Sequence, residues 1–190
     1  MQKINSLSIV ALGLALALAG CSTGPEVAEG SPPPPPPMAA PTPLTDAALA
    51  EAAAAFGPQQ PRPGGYNWVA PAQMPKGGAV RMVISLGRQM GWIYRGDTLV
   101  AATTVSTGVP EHPTDPGHWT ILDKQRFHRS NKYSNAPMPF MQRLDHWGRA
   151  LHAGVVPGYP ASHGCIRLPA AVAQRLFGLT KLGESVDIEA

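Results

Sequence analysis

The stretch "PGYPASHGCIRLP", residues 157–169, contains Cys165, one of two cysteines in the chain of 190 residues. The other, Cys21, directly follows the apolar run "LSIVALGLALALAG", residues 7–20, and is a candidate for lipid modification. A modified Cys21 leaves Cys165 without an intramolecular disulfide partner. Because an idle exposed thiol is easily oxidised outside the cytoplasm, the neighbours of Cys165 decide between a reactive nucleophile and an inert buried side chain.

The residues around Cys165 are those that thiol catalysis uses: a base and donors for an oxyanion. Gly164 lets the backbone turn sharply, so that consecutive N–H groups can face a substrate carbonyl. His152 and His163 are both candidate bases, and a protonated histidine beside the thiol would stabilise the thiolate. We favour His152, because a histidine at the end of a predicted strand can project its ring across the loop. Ser162 could fix His163 or donate to the substrate.

The longer stretch "HAGVVPGYPASHGCIRLP", residues 152–169, resembles the catalytic motif of the bacterial L,D-transpeptidases. That motif is a His, a gap, and then Ser/Thr-His-Gly-Cys followed by an apolar residue and Asn or Arg. The resemblance extends to "PTDPGHWTI", residues 113–121, and "SNAPMPFMQRL", residues 134–144, and covers most of residues 79–189.

Two features of the motif depart from many family members. Thirteen positions separate His152 from Cys165, which is a short spacing, and Arg167 occupies the place where other members have Asn. Arg167 could orient the loop of His163 or meet a substrate carboxylate, and a structural ion pair is the alternative. Neither departure removes a catalytic group.

The resemblance implies a mostly β fold, either sandwich-like or barrel-like, with a short helix after the cysteine. It also implies Cys165 as the nucleophile, His152 as the general base, and the backbone carbonyl of Ala153 as the group that orients the base. The residues expected to support the oxyanion site and its loop are Ser162, His163, Gly164, Arg167 and Ala153.

The reaction implied by the resemblance is acyl transfer on peptidoglycan in cell-wall biogenesis, without a cofactor or a metal. Cys165 would form a thioester with a stem tetrapeptide and pass the acyl group to an amine, giving a 3→3 cross-link or attachment to a protein. With water as the acceptor the enzyme would be an L,D-carboxypeptidase. A non-catalytic wall-tethering lipoprotein is the alternative from another class. The family resemblance also implies that a carbapenem would acylate Cys165, and we expect a monomer.

Other classes of protein fit the sequence less well. Papain-like peptidases place the Cys before the His, whereas here His152 precedes Cys165. No HExxH-type motif indicates a zinc peptidase. The formal net charge is only +3 and no Lys/Arg run is present, so binding to nucleic acid is not expected.

The N-terminal residues predict export. Lys3 precedes the apolar run, which is too short for a comfortable transmembrane helix. Leu18-Ala19-Gly20-Cys21 resembles a lipobox, so residues 1–20 are predicted to be a lipoprotein signal peptide and Cys21 to carry lipid. We expect a periplasmic protein anchored to a membrane, with Ser22 after the cysteine favouring the outer membrane.

The composition predicts a tether followed by one domain. Residues 21–75 are rich in Pro and Ala and are expected to form a disordered tether, with a short, weakly packing helix over 44–56. Residues 76–190 are expected to be the catalytic domain, in which the polar loop 126–139 is either a lid or an ordinary surface loop. The candidate substrate-binding residues on this loop and just after it are Tyr133, Asn135, Met138 and Phe140.

Overall fold

The computed structural model describes residues 43–190, so the predicted signal peptide, Cys21 and the first half of the predicted tether lie outside the described residues. The helices are α1 (Pro43–Phe56) and α2 (Ala170–Leu179). The strands are β1 (Tyr66–Trp68), β2 (Val80–Ser85), β3 (Met90–Arg95), β4 (Thr98–Thr104), β5 (Gly117–Thr120), β6 (Asp123–Gln125), β7 (Met141–Arg143), β8 (Ala150–Ala153), β9 (Ile166–Leu168) and β10 (Ser185–Glu189). Within this part of the chain no helix has the length and apolarity needed to cross a membrane.

The strands form two sheets, which confirms the prediction of a mostly β fold with a helix after the cysteine. The larger sheet has the order β1-β4-β3-β2-β10-β5, and the smaller sheet has the order β6-β7-β8-β9. The pairs β2–β10 and β8–β9 are parallel, and the others are antiparallel. Three consecutive strands, β2, β3 and β4, form an antiparallel meander.

The core lies between the two sheets, and the alternation along each strand explains it. On β2, Val80, Met82 and Ile84 face the smaller sheet, whereas Val83 faces the opposite side. The helix α2 closes the core with one face, formed by Val172, Ala173 and Leu176. Because side chains on both faces of β2 are buried, another element must cover the outer side of the larger sheet.

The helix α1 covers that outer side, and this corrects two expectations. The expected weak packing is wrong, because Ala48, Leu49, Ala52 and Phe56 form a stripe with helical spacing against a buried cluster that includes Trp92. The expected tether over residues 21–75 is also too long, because it includes α1 and β1, which are part of the folded domain. A deletion that shortens only the tether must therefore end before Pro43.

The strand β1 is a second ordered element inside the expected tether. Tyr66 and Trp68 pair with Thr103 and Ala101 of β4, so the larger sheet gains an edge strand from upstream of the expected boundary at residue 76. Sequence reasoning missed β1 because "YNW" is short and is flanked by Pro and Gly.

The N-terminus of α1 is capped by a residue from the other end of the chain. Glu189, at the end of β10, accepts hydrogen bonds from the N–H of Thr45 (2.8 Å), the hydroxyl of Thr45 (2.8 Å) and the N–H of Leu44 (3.3 Å). A carboxylate at this position satisfies free N–H groups and complements the helix dipole. Further along α1, burial and the nearby charge of Glu51 raise the pKa of Tyr94 to about 12.

We expect Glu189→Ala to lower the free energy of unfolding by about 1–2 kcal/mol, because it removes the cap that joins α1 to the sheet. Urea denaturation followed by circular dichroism measures this change. Glu111 is exposed, and the matched change Glu111→Ala should shift stability by less than about 0.5 kcal/mol. Equal stability of the two variants would contradict the role given to Glu189.

Candidate active site

All four strands of the smaller sheet present alternate residues to a cavity of about 860 Å³. Leu151 and Ile166, paired across β8 and β9, point into the core. Their sequence neighbours therefore point to the other face, which is the cavity. The cavity-lining residues on or next to these strands include Asp123 and Gln125 on β6, Met141 and Arg143 on β7, Ala150 and His152 on β8, and Cys165 and Arg167 at β9.

The loop before β9 is shaped by Gly164 and Ser162. Gly164 has φ +104°, a left-handed conformation that favours glycine. The buried hydroxyl of Ser162 accepts the N–H of Gly164 (3.1 Å) and donates to the carbonyl of Cys165 (2.5 Å). Ser162 thus holds the turn in place, and the N–H groups that remain at this turn are those of His163 and Cys165.

His152 is held by the group that the sequence predicted. Its Nδ1 lies 2.9 Å from the carbonyl oxygen of Ala153. A carbonyl can only accept, so Nδ1 carries the proton and the neutral ring has its lone pair on Nε2. Burial lowers the pKa of His152, the bond to Ala153 opposes this, and the charges of Arg167 and His128 lower the pKa further. The free site therefore favours a neutral imidazole whose Nε2 can accept a proton.

Cys165 lies in apolar surroundings, against Met138, Met141 and Ala150. Burial raises the pKa of the Cys165 thiol. A hydrogen bond from the backbone of Ala150 lowers it, and the charge of Asp145 raises it again. The direction of this pKa shift favours the neutral thiol, whereas the sequence led us to expect a thiolate stabilised by a protonated histidine.

We expect alkylation of Cys165 by iodoacetamide to speed up with pH through a midpoint above the ordinary thiol value of about 8.5. The physical reason is that burial raises the thiol pKa and lowers the imidazole pKa, and both directions favour the neutral forms over an ion pair. Mass spectrometry of the peptide that contains Cys165 gives the rate separately from Cys21. A rate plateau that begins below pH 7 would indicate a preformed thiolate–imidazolium pair and contradict this prediction.

Arg167 lies on the cavity face opposite His152 in the parallel ladder. Its backbone pairs with Ser106 through hydrogen bonds of 2.9 and 3.1 Å, and its side chain packs on Gly154, where a Cβ would lie 3.0 Å from the Arg167 side chain. Among residues 43–190 the ion pairs present are formed by other residues, which leaves the guanidinium available to a ligand. The alternative of a structural ion pair is therefore disfavoured.

The loop 126–139 contacts one side of the loop before β9, residues 161–165, which carries the candidate nucleophile Cys165 and is called the nucleophile loop below. The ring centroid of His163 lies 4.5 Å from that of Tyr133 and 5.2 Å from that of His112, so the three rings form one cluster. Lys132 Nζ donates to the carbonyl of Trp147 (2.5 Å), which ties the loop to the opposite rim. The loop thus bridges the cavity rather than lying free on the surface.

Two of the four candidate substrate-binding residues line the cavity, and two do not. Tyr133 and Met138 line it. Asn135 is exposed, and its carbonyl accepts a hydrogen bond from Arg129 (3.0 Å). Phe140 packs on Phe177 of α2, with ring centroids 5.9 Å apart. These two directions could not be deduced from the sequence, because a loop has no fixed periodicity.

The turn 145–148 contributes residues that sequence reasoning missed. The buried Asp145 accepts the N–H groups of Trp147 (2.9 Å) and Arg149 (2.8 Å), and this brings the carbonyl of Gly148 to 3.6 Å from Cys165 Sγ. Trp147 is 80% exposed at the rim. The available signal was an Asp at the first position of a turn, which often accepts N–H groups two and more residues later.

Metal-ligating side chains within the described range do not cluster. Among residues 43–190 there is no group of three or more His, Cys, Asp or Glu residues that could hold a metal ion.

The sequence matches one family profile, described as the YkuD L,D-transpeptidase catalytic domain, over residues 79–188. No curated protein matches the chain at a significant level.

Solved structures with a similar fold include an L,D-transpeptidase from Stackebrandtia nassauensis, with 28% identity and a TM-score of 0.54 over 62% of this chain and 58% of that chain. An L,D-transpeptidase from Mycobacterium tuberculosis H37Rv has 21% identity and a TM-score of 0.56, over 59% of this chain and 58% of that chain. L,D-transpeptidase 3 from Mycobacterium tuberculosis, in complex with a faropenem-derived adduct, has 20% identity and a TM-score of 0.54, over 59% and 60%. The chain thus spans less than two thirds of the length of each of these structures.

Proposed function

Since this chain belongs to the YkuD family of L,D-transpeptidase catalytic domains, we propose that it is a peptidoglycan L,D-transpeptidase acting in cell-wall biogenesis. Its donor is a stem tetrapeptide, and its acceptor is an amine on a second stem or on a protein. The observation that carries this proposal is the cavity-facing pair of Cys165 and His152, with Nδ1 of His152 fixed on the carbonyl of Ala153.

The first half of the reaction forms a thioester. Nε2 of His152 accepts the thiol proton as Sγ of Cys165 attacks the carbonyl carbon after the third residue of the stem. The N–H groups of His163 and Cys165 donate to the oxyanion. The imidazolium then protonates the leaving amine, and the C–N bond breaks to release D-Ala.

The second half transfers the acyl group. The neutral acceptor amine attacks the thioester carbon and gives its proton to Nε2 of His152, and the C–S bond breaks as Cys165 leaves. The sulfur takes the proton back from the imidazolium, so the site returns to its neutral resting state. Arg167, free of an ion pair within residues 43–190, is suited to hold a carboxylate of either stem.

Incubation with purified disaccharide-tetrapeptide, followed by mass spectrometry, tests the proposal. We expect a dimer that lacks one D-Ala. Accumulation of disaccharide-tripeptide alone would replace the transfer reaction by hydrolysis, as in an L,D-carboxypeptidase. An unchanged substrate with a folded protein would overturn the enzymatic role and favour a wall-tethering lipoprotein.

A β-lactam can serve as a second acyl donor to Cys165. A structural relative is described in complex with a faropenem-derived adduct, and the strained carbonyl of a carbapenem would meet the same thiol and oxyanion donors. Intact mass should therefore rise by one drug mass per chain, with the modification on the peptide that contains Cys165.

We also propose that the protein is periplasmic and anchored by lipid on Cys21, in the outer membrane rather than the inner. The support is the tetrad Leu18-Ala19-Gly20-Cys21. Cys21→Ser should move the protein from the membrane fraction to the soluble fraction, whereas the matched change Cys165→Ser should not. Retention of the Cys21→Ser protein in the membrane fraction would contradict lipid anchoring.

A further inference from the structure

A segment that does not line the cavity holds the nucleophile loop through backbone hydrogen bonds. This segment, residues 105–109, follows β4 and contacts both ends of the loop. The backbone of Ser106 pairs with Arg167 in both directions, and the carbonyl of Thr107 accepts the N–H groups of Ala161 and Ser162 (3.0 Å each). The N–H of Val109 donates to the carbonyl of Ser162 (3.0 Å). The position of this segment therefore sets the position of the loop.

One side chain fixes this segment. Gln89, in the turn between β2 and β3, is 5% exposed. Its Nε2 donates to the hydroxyl of Thr107 (2.7 Å) and to the carbonyl of Leu86 (2.7 Å), and its Oε1 accepts the N–H of Thr107 (2.9 Å). Its backbone carbonyl accepts the N–H of Val105 (2.9 Å). Both donors of the buried amide are thus used, and two of its bonds go to a single residue.

The backbone of Gln89 indicates that the side chain has a specific purpose. Its φ is +51°, in the left-handed region, where glycine is at no disadvantage and other residues are strained. A turn alone would be served better by glycine. A buried amide that is fully bonded on a strained backbone instead fixes a unique arrangement of its partners.

We propose that Gln89 is a positioning residue for the nucleophile loop, acting through Thr107 and Ser162 on the turn that carries Cys165. The proposal rests on the proposed acyl transfer at Cys165. Ser162 is the link, because its backbone is held by Thr107 while its hydroxyl holds both Gly164 and the carbonyl of Cys165. Loss of the Gln89 amide loosens the N–H groups that meet the oxyanion, while the thiol itself stays exposed to small reagents.

The test compares Gln89→Met, which keeps the length of the side chain but not its hydrogen bonds, with a variant of equal stability. Ile188 is buried in β10, and Ile188→Val or Ile188→Ala is chosen to match the thermal unfolding midpoint of Gln89→Met. We expect Gln89→Met to lower kcat for the tetrapeptide at least tenfold, with KM and the rate of iodoacetamide alkylation each within threefold of wild type. The Ile188 variant should keep kcat within twofold.

Amide hydrogen exchange provides a measurement that does not depend on activity. In Gln89→Met the N–H groups of Ala161 and Ser162 should exchange at least tenfold faster than in the Ile188 variant. Equal exchange in the two variants, or equal kcat, would overturn the proposal. If wild type has no transfer activity, the proposed function fails, whereas the exchange result still decides whether Gln89 holds the loop.

A third variant keeps the test decisive if Gln89→Met does not fold. Thr107→Val removes only the hydroxyl that accepts from Gln89 Nε2 and keeps both backbone links. Like Gln89→Met, it should lower kcat and speed up amide exchange at Ser162, but each by a smaller factor of about threefold. No change in either quantity would overturn the proposal.

Discussion

Cys165→Ala should lower the turnover of stem tetrapeptide by about four orders of magnitude or more, because no other group in the cavity replaces a thiol as acyl carrier. The fold should survive. Cys165 contacts a small apolar cluster with Met138 and Met141, and loss of one sulfur atom there costs about 1 kcal/mol. Mass spectrometry of the products measures the loss of turnover, and urea denaturation measures the loss of stability.

Cys165→Ser is the matched control for shape. It keeps the size of the side chain but lacks the nucleophilicity of a thiol, so its activity should also be lost while its unfolding midpoint stays close to that of wild type. Tetrapeptide processing by a folded Cys165→Ala protein would exclude the covalent mechanism and the role of Cys165.

The candidate site could be identified from the sequence because the motif that carries the family resemblance, residues 152–169, is local. In the structure Cys165, just before β9, and Arg167 within it both face the cavity, while Ile166 enters the core. Gly164 marks the turn that requires a positive φ. The carbonyl of Ala153 lies next to His152 in the chain, so its contact with Nδ1 needs no knowledge of distant elements.

The parts that could not be predicted depend on contacts between distant residues. The cap on Thr45 comes from Glu189, 144 positions away, and the cluster beneath α1 is formed by β2, β3 and β4. From sequence alone, an Ala-rich helix face predicts weak packing. The sheet that α1 covers is known only from the folded structure. The positioning role proposed for Gln89 could not be predicted from the sequence either, because it depends on hydrogen bonds to Thr107.

The protonation states of the site also depend on the folded environment. A thiol and an imidazole in close sequence suggest an ion pair, but burial raises the pKa of Cys165 and lowers that of His152. Both directions favour the neutral forms. In the proposed reaction the thiol proton is then removed during attack, so we expect His152 to act as a general base rather than as a counter-ion.

His152→Ala should therefore slow acylation of Cys165 by about 10²–10⁴-fold, the usual contribution of a general base. His163→Ala should slow it by less than about tenfold, because the exposed ring of His163 lies against Tyr133 and His112 and the proposed mechanism uses only its backbone N–H. Single-turnover acylation by tetrapeptide, followed by quenching and mass spectrometry, measures both rates.

The pH profile of alkylation distinguishes a base from a counter-ion. If His152 is neutral in the free protein, its removal takes no positive charge away from the thiol, and the midpoint of Cys165 alkylation should stay above about 8.5 in His152→Ala. A counter-ion would have held the midpoint low in wild type, and its removal would raise the midpoint. The assignment of the base would be reversed by a large loss of acylation in His163→Ala together with a small loss in His152→Ala, since the Nδ1 contact to Ala153 would then orient a ring that takes no proton.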